Sequence, residues 1–384
     1  VASLLLIKLV ANTAIRFVYP FLPAIARGLG IDLTQAGALV SVRWASSMAA
    51  PAVMSVAGRL PGSRQLLISG LIVFSAGSIV TAWTGVFVGA VIGFALVGLS
   101  KPMIDVSAQV YVSERVAYEQ RARYVGTLEI AWAGGLLIGA PVAGWLIENW
   151  SWETPFWTVG LLGVAGVGLA LLFLDPEDGA AAGQMVRAED SPGRQVMLVL
   201  ATTVLFSYAH ESVLVVLGGW LEGSFGLTLL ALGGVGTLIG LSELIGEVSM
   251  ASFTDRLGKR NSLAIGIGAG GVLLLLLSFV YQQFLPSMVV LFLAGVVIEF
   301  GYISAIPMAT ELRPRARART LSLLVVSTSL GRVAADLVAP RVFATGGMRP
   351  VTLMAGIVAM AALLVVLFGV REVESATQDE ASVS

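Results

Sequence analysis

Residues 254–260 read TDRLGKR, and 196 positions earlier residues 58–64 read GRLPGSR. Gly62 falls on Gly258 and Arg64 on Arg260, and the same shift carries Arg121 onto Arg317, Arg123 onto Arg319 and Gly135 onto Gly331. A register held over half the chain is an internal repeat, so the fold is expected to consist of two like halves. On both sides of each stretch the sequence runs apolar for about the 20 residues that carry a helix across a bilayer core.

Reading those runs between charged or Gly/Pro-rich breaks places six spans at about 2–26, 34–57, 65–84, 86–112, 124–147 and 154–174. Six more follow at about 196–221, 228–253, 262–282, 287–309, 320–343 and 351–370. The expectation is an all-α membrane protein of twelve transmembrane helices in two six-helix repeats. Residues 1–174 form the first bundle, 175–195 (DPEDGAAAGQMVRAEDSPGRQ) a cytoplasmic linker, 196–370 the second bundle and 371–384 an acidic cytoplasmic tail.

Composition agrees with the spans. The chain is 57% hydrophobic and 12% charged, a balance that could not clothe a soluble surface. Its 44 glycines suit close packing of membrane helices. The absence of Cys excludes disulfides, zinc sites and thiol chemistry, and a single His with a net charge of -1 leaves no metal cluster and no basic face for nucleic acid. No cofactor is expected beyond a proton as coupling ion, and no nucleophile or acid–base cluster marks an enzyme. The first segment, with Lys8 and Arg16 and no small-residue cleavage site, reads as a span trimmed of its true start and not as a signal peptide.

Lys and Arg are distributed unevenly between the two membrane faces. One receives Arg59, Arg64, Arg115, Arg121, Arg123, Arg187, Arg194, Arg256, Lys259, Arg260, Arg313, Arg315, Arg317, Arg319 and Arg371, while the other has little beyond Arg27 and Arg349. By the positive-inside rule the first face is cytoplasmic and both termini lie on it. Among the bases only Lys8, Lys101 and Lys259 are not Arg, a usage that points to a GC-rich bacterial genome and hence to a bacterial inner membrane.

TDRLGKR resembles the loop signature of the major facilitator superfamily: an Asp followed by Arg, a Gly and two basic residues. The resemblance implies two bundles that rock about a central site, with Asp255, Arg256, Gly258, Lys259 and Arg260 as a latch between helix ends. The first-half loop keeps Gly58, Gly62 and Arg64 but has Arg59 where Asp is usual. In span 5, GGLLIGAPVAGW is similar to the Gly-Pro signature of the drug/proton antiporter branch: Pro141 and Gly144 match, whereas Ala140 and Trp145 replace glycines and Phe94 stands where that branch carries an Arg.

Thirteen ionisable residues fall inside the spans: Lys8, Arg16, Arg43, Lys101, Asp105 and Glu129 in the first half, and His210, Glu211, Glu243, Glu247, Glu299, Arg332 and Asp336 in the second. A charge at mid-bilayer costs about 2.5–3.5 kcal/mol even on insertion scales, so such side chains turn to a protein interior or a wet cavity. Spans 3, 6, 9 and 12 carry none, and those are the spans the resemblance makes lipid-facing. With His neutral, the first half holds four bases and two acids and the second one base and five acids. That polarity suits a substrate of both signs, or a polar head on an apolar tail.

Arg16, Lys101, Asp105, His210, Glu211 and Glu299 are the candidates for substrate binding and proton coupling. Lys101 and Asp105, one turn apart, either neutralise each other for insertion or bind. Arg16 needs a partner from another helix, for which Asp105 and Glu299 are expected. His210 is either a ligand or a packing residue. Arg43, Asp336, Arg332, Glu129, Glu243 and Glu247 are expected at the interface between halves. There Arg43 and Asp336 would form a gate, paired in at least one conformation, or Asp336 would pair with Arg332 on its own helix. Glu129, Glu243 and Glu247 would gather as an acidic cluster near the inner mouth, with at least one of Glu243 and Glu247 protonated or paired with a base, or Glu247 would bond to the cytoplasmic loops. Trp44, Trp132, Trp220 and Tyr302 are expected to line the cavity.

The functional expectation is a monomeric secondary active transporter that moves a small organic molecule by alternating access, through proton-coupled efflux. The alternatives are a transporter or flippase of an amphiphilic, lipid-like substrate and an importer of a polar or zwitterionic solute.

Overall fold

The computed structural model describes residues 2–56, 62–175, 193–312 and 317–370, the side chains of 50–56, 118–119, 122–123, 125, 251–255 and 317–318 aside. Arg59, most of the 175–195 linker and the 371–384 tail therefore lie outside the described residues.

The first half holds α1 (Ala2–Arg16), α2 (Val18–Leu29), α3 (Leu33–Val56), α4 (Ser63–Thr84), α5 (Phe87–Arg115), α6 (Tyr118–Leu137), α7 (Gly139–Asn149) and α8 (Thr154–Phe173). The second holds α9 (Arg194–Leu214), α10 (Leu217–Phe225), α11 (Leu229–Leu257), α12 (Lys259–Val280), α13 (Phe284–Glu311), α14 (Arg317–Gly346) and α15 (Met348–Gly369). The pairs α1–α2, α6–α7 and α9–α10 are each one broken traverse, so the order makes twelve. Ten of these, and an eleventh when the bent α1–α2 pair is counted as one, are long and apolar enough to cross a bilayer. In α3 only 33–49 have described side chains, a stretch too short to be counted among them; most of these side chains are buried or half-buried, and the helix packs on α5 and α14.

Proline explains two of the breaks. Lacking an N–H, and with a ring that crowds the carbonyl four residues back, Pro20 interrupts the first traverse near Arg16, where α1 and α2 meet at 55°. Pro141 does the same to span 5 at Ile138. The carbonyl of Leu137, which Pro141 cannot serve, instead accepts the hydroxyl of Thr237 from the other half at 3.2 Å.

The repeat is visible in contacts. Arg64 donates to the carbonyl of Leu171 at 2.8 Å and Arg260 to that of Leu367 at 2.7 Å, and these acceptors are again 196 positions apart. Each guanidinium thereby caps the last helix of its own half, where carbonyls lack partners. Gly135 lies against the backbone of Asn12 and Thr13, and Gly331 against that of Val204 and Tyr208, so span 5 meets span 1 as span 11 meets span 7.

α4, α8, α12 and α15 make their main contacts within their own half and turn Ile72, Leu161, Val272 and Phe368 outward. The halves meet through α2 with α10, α3 with α14, and α6–α7 with α11. Hereafter the end bearing Arg64 and Arg260 is the basic end and the opposite one the far end. Backbones touch at the far end: a Cβ on Gly218 would come within 2.2 Å of the Pro20 carbonyl, and one on Gly37 within 2.5 Å of the Asp336 carbonyl.

Candidate functional site

The ionisable side chains of the spans form three layers between the bundles. Nearest the basic end, Lys8 Nζ lies 2.9 Å from Glu129 and 3.6 Å from Asp105, and Lys101 pairs with Asp105 one turn away. Exposure is graded here: Lys8 is 2% exposed, Asp105 28% and Glu129 48%. The layer therefore opens away from the bundle centre.

At mid-depth Arg16 meets Glu243 at 2.5 Å across the interface between halves. The same guanidinium stacks 4.3 Å from the Trp132 ring centroid, and its Nε and Nη1 have no acceptor. Arg332 stands among three rings from three other spans, with its Cζ 4.3 Å from Trp44, 5.6 Å from Trp132 and 5.9 Å from Tyr302. Cation–π contact partly replaces the hydration such a cation loses on burial. Glu299 is 7% exposed and faces the charges of Glu243, Glu247, Arg16 and Arg332, yet it joins no ion pair among the described residues. His210, half-buried, faces Arg332 and Arg16.

Toward the far end Glu211 is the hub. Its Oε1 accepts the hydroxyl of Tyr19, in a very short bond, and the indole N–H of Trp44 at 3.2 Å. Its Oε2 lies 3.7 Å from Arg332. Arg43 donates to the Ile15 carbonyl at 2.7 Å and to the Tyr19 hydroxyl at 3.0 Å. Asp336 is fully buried beside Glu211.

Three expectations are corrected by these contacts: the partner of Arg16, the pairing of Asp336 with Arg332, and the place of Trp220. Arg16 takes Glu243, and not Asp105 or Glu299, because Asp105 is held by two lysines one layer down. Glu129, Glu243 and Glu247 do lie within electrostatic reach of one another; Glu243 is paired with Arg16 and Glu129 with Lys8, and Glu247 alone of the trio lacks a described ion pair. In this conformation Arg43 and Asp336 are not paired: Nη1 and Nη2 of Arg43 serve its own half and its Nε has no acceptor, while Arg332 turns to Glu211 and not to Asp336. Trp220 is 1% exposed in the hydrophobic core and donates to the Tyr281 carbonyl at 3.1 Å, away from the cavity. Trp44, Trp132 and Tyr302 do flank the central charges. Tyr19, which sequence reading passed over, is signalled only by its place in VYPFLP, an aromatic hydroxyl beside the prolines that break the span.

The proposed latch residues lie at the basic end. Gly258 forms a one-residue turn between α11 and α12 with φ 80°, a conformation closed to other residues without strain. Lys259 pairs with Glu311, and Arg260 caps α15. Arg256 is exposed, and the side chain of Asp255 lies outside the described residues.

Residues 4–193 and 199–383 match the Major Facilitator Superfamily. The chain belongs to that superfamily. It is accordingly an integral membrane protein built of many apolar helices. Among related superfamily members, an MFS-type transporter of Mycobacterium tuberculosis is 29% identical over 177 residues, 44% of this chain, which spans 25% of that relative's length. The inner membrane transport protein YdhP of Escherichia coli strain K12 is 26% identical over 237 residues, 61% of each protein. In fold the chain is similar to a bacterial homologue of the human lysosomal transporter Spinster, solved in an inward-facing and occupied conformation. The TM-score is 0.74 with 12% identity over 95% of each chain.

Proposed function

We propose that this superfamily member exports a small organic molecule in exchange for protons, by alternating access in a bacterial inner membrane with the basic end and both termini in the cytoplasm. The carrying observation is charge imbalance in the site. The thirteen interior residues include seven acids against five bases, and most are enclosed. Two uncompensated carboxylates in such a medium are costly, so the surplus is balanced by protons or by the positive charge of a substrate. Trading one for the other is antiport. Glu299, Glu211 and Asp105 are the acids offered for that role, with Arg16, Lys101 and His210 around the substrate; Glu299 stands out because it lacks an ion-pair partner. The likeness of GGLLIGAPVAGW to drug/proton antiporters supports the direction.

The test is uptake of organic cations and neutral amphiphiles into proteoliposomes under imposed pH gradients. Substrate should accumulate in wild-type vesicles only with a gradient, and Glu299→Gln should abolish accumulation while the protein remains folded. Transport by wild type that ignores the gradient would overturn the reading.

A second reading, amphiphile transport, rests on an apolar cavity of about 160 Å³ between spans 1, 5 and 6, lined by Leu9, Val10, Phe17, Val142, Val159 and Leu162. Val142 and Leu162 are half-exposed on the outer face, where an acyl chain would enter. Translocation of a fluorescent lipid in the same vesicles distinguishes it.

A further inference from the structure

Asp336 has no exposed surface and sits on α14 one turn beyond Arg332 toward the far end. Its side chain reaches that of Glu211. Neither oxygen of Asp336, nor Oε2 of Glu211, accepts a hydrogen bond from any donor among the described residues. Buried acceptors left bare in this way are rare and call for an explanation.

The neighbouring donors and cations serve other groups, except that Nε of Arg43 has no acceptor and reaches neither oxygen of Asp336. On α3, Arg43 serves the Ile15 carbonyl and the Tyr19 hydroxyl, and Trp44 gives its N–H to Oε1 of Glu211. On α2, Tyr19 gives its proton to the same Oε1. On α14, Arg332 approaches Oε2 of Glu211 only to 3.7 Å and is held among aromatic rings that include Tyr302 of α13. His210 of α9 and the Arg16–Glu243 pair lie on the mid-depth side of Arg332. Ionised carboxylates can only accept, so two of them side by side cannot satisfy each other. A single hydrogen between them can.

We propose that Glu211 and Asp336 form a binding site for one proton, carried on Asp336 and donated to Oε2 of Glu211, and that this pair is a second coupling site of the transporter beside Glu299. The proposal rests on the proton-coupled reading above and adds a site to it. In the structure described here the site is sealed from both ends and loaded. When the far end opens, the O–H bond of Asp336 breaks, its electron pair stays on the carboxylate, and water accepts the proton. The new carboxylate is repelled by Glu211 and attracts Arg43, the one cation of the first half in this layer. Arg43 then leaves Ile15 and Tyr19 for Asp336. The ion pair between halves that is missing here thus belongs to the deprotonated state.

Infrared spectroscopy of the purified full chain at neutral pH tests the shared proton directly. Wild type should show the carbonyl stretch of a buried, hydrogen-bonded carboxylic acid, shifted in deuterium oxide. Asp336→Asn and Glu211→Gln, near-isosteric changes, should each diminish that band and also lose gradient-driven accumulation. If one variant fails to fold, the other still decides. A carbonyl band of undiminished intensity in Asp336→Asn, measured on a Glu299→Gln background so that Glu299 does not contribute, or gradient-driven transport by Asp336→Asn alone at the wild-type rate, would overturn the site while leaving proton coupling intact. Should wild type ignore the gradient, the coupled reading falls, and the band alone reports whether the pair holds its proton.

Discussion

Arg16 and Glu243 lie 227 positions apart in sequence and 2.5 Å apart in space, and each is 1% exposed. Among the described residues the pair is the closest charge contact between the two halves. Removing one partner of a buried pair typically costs about 3–5 kcal/mol, because the other is left as a bare interior charge, whereas replacing both by apolar residues of like volume is often neutral. Arg16→Met and Glu243→Leu should therefore each lower the melting temperature in detergent markedly, and the double variant should recover much of the loss. A double variant no more stable than the singles would mean that the contact is not the pair's main contribution.

The far end closes by backbone contact. Gly218 against Pro20 and Gly37 against Asp336 leave no room for a side chain, so Gly218→Val or Gly37→Leu should wedge that end open. Because the chain contains no cysteine, spin labels can be placed at Arg27→Cys and Glu222→Cys, whose native side chains pair at 2.9 Å at that end. A longer distance population in the wedged variants is expected. An unchanged distance distribution would show that the contact yields elsewhere.

In the layer nearest the basic end, Lys8 reaches both Asp105 and Glu129 and Lys101 reaches only Asp105. Lys8→Met should be the more damaging substitution, since it strands Glu129, while Lys101→Met leaves Asp105 with Lys8. Yield of folded protein and melting temperature rank the two. The reverse order would indicate that Lys101 serves the substrate directly.

Arg64 and Arg260 cap equivalent helices. Arg64→Ala should raise hydrogen exchange at the end of α8 and leave α15 unchanged, and Arg260→Ala should do the opposite, since each cap acts within its half. Exchange rising at both helix ends in either variant would point to coupling between the halves at the basic end.

Much of the architecture is legible in the chain because a bilayer penalises exposed charge. The absence of charge from spans 3, 6, 9 and 12 marks the helices that turn outward, and the 196-residue shift foretells the matched caps. The pairings are another matter. Arg16 finds Glu243 only once α1 and α2 diverge beside it and α11 is laid against span 5, and no spacing along the chain encodes that. Arg43 and Asp336 sit at matching depths as expected, yet the break after Arg16 presents Arg43 with a nearer acceptor in Ile15. Trp220 reads like a cavity residue in sequence, since aromatic residues in cores and in binding sites look alike until packing separates them.

The joint in the first traverse has a mechanical consequence. At Phe17 two stiff rods meet at 55°, and the carbonyl of Ile15 beside that joint is held by Arg43. The guanidinium is thus a splint as well as a counter-charge. If deprotonation of Asp336 draws it away, the splint comes off at the same moment, and the lower and upper rods of span 1 are free to pivot. Lock and hinge are then one side chain, and the chemical event needs no linkage of intermediate parts to become movement.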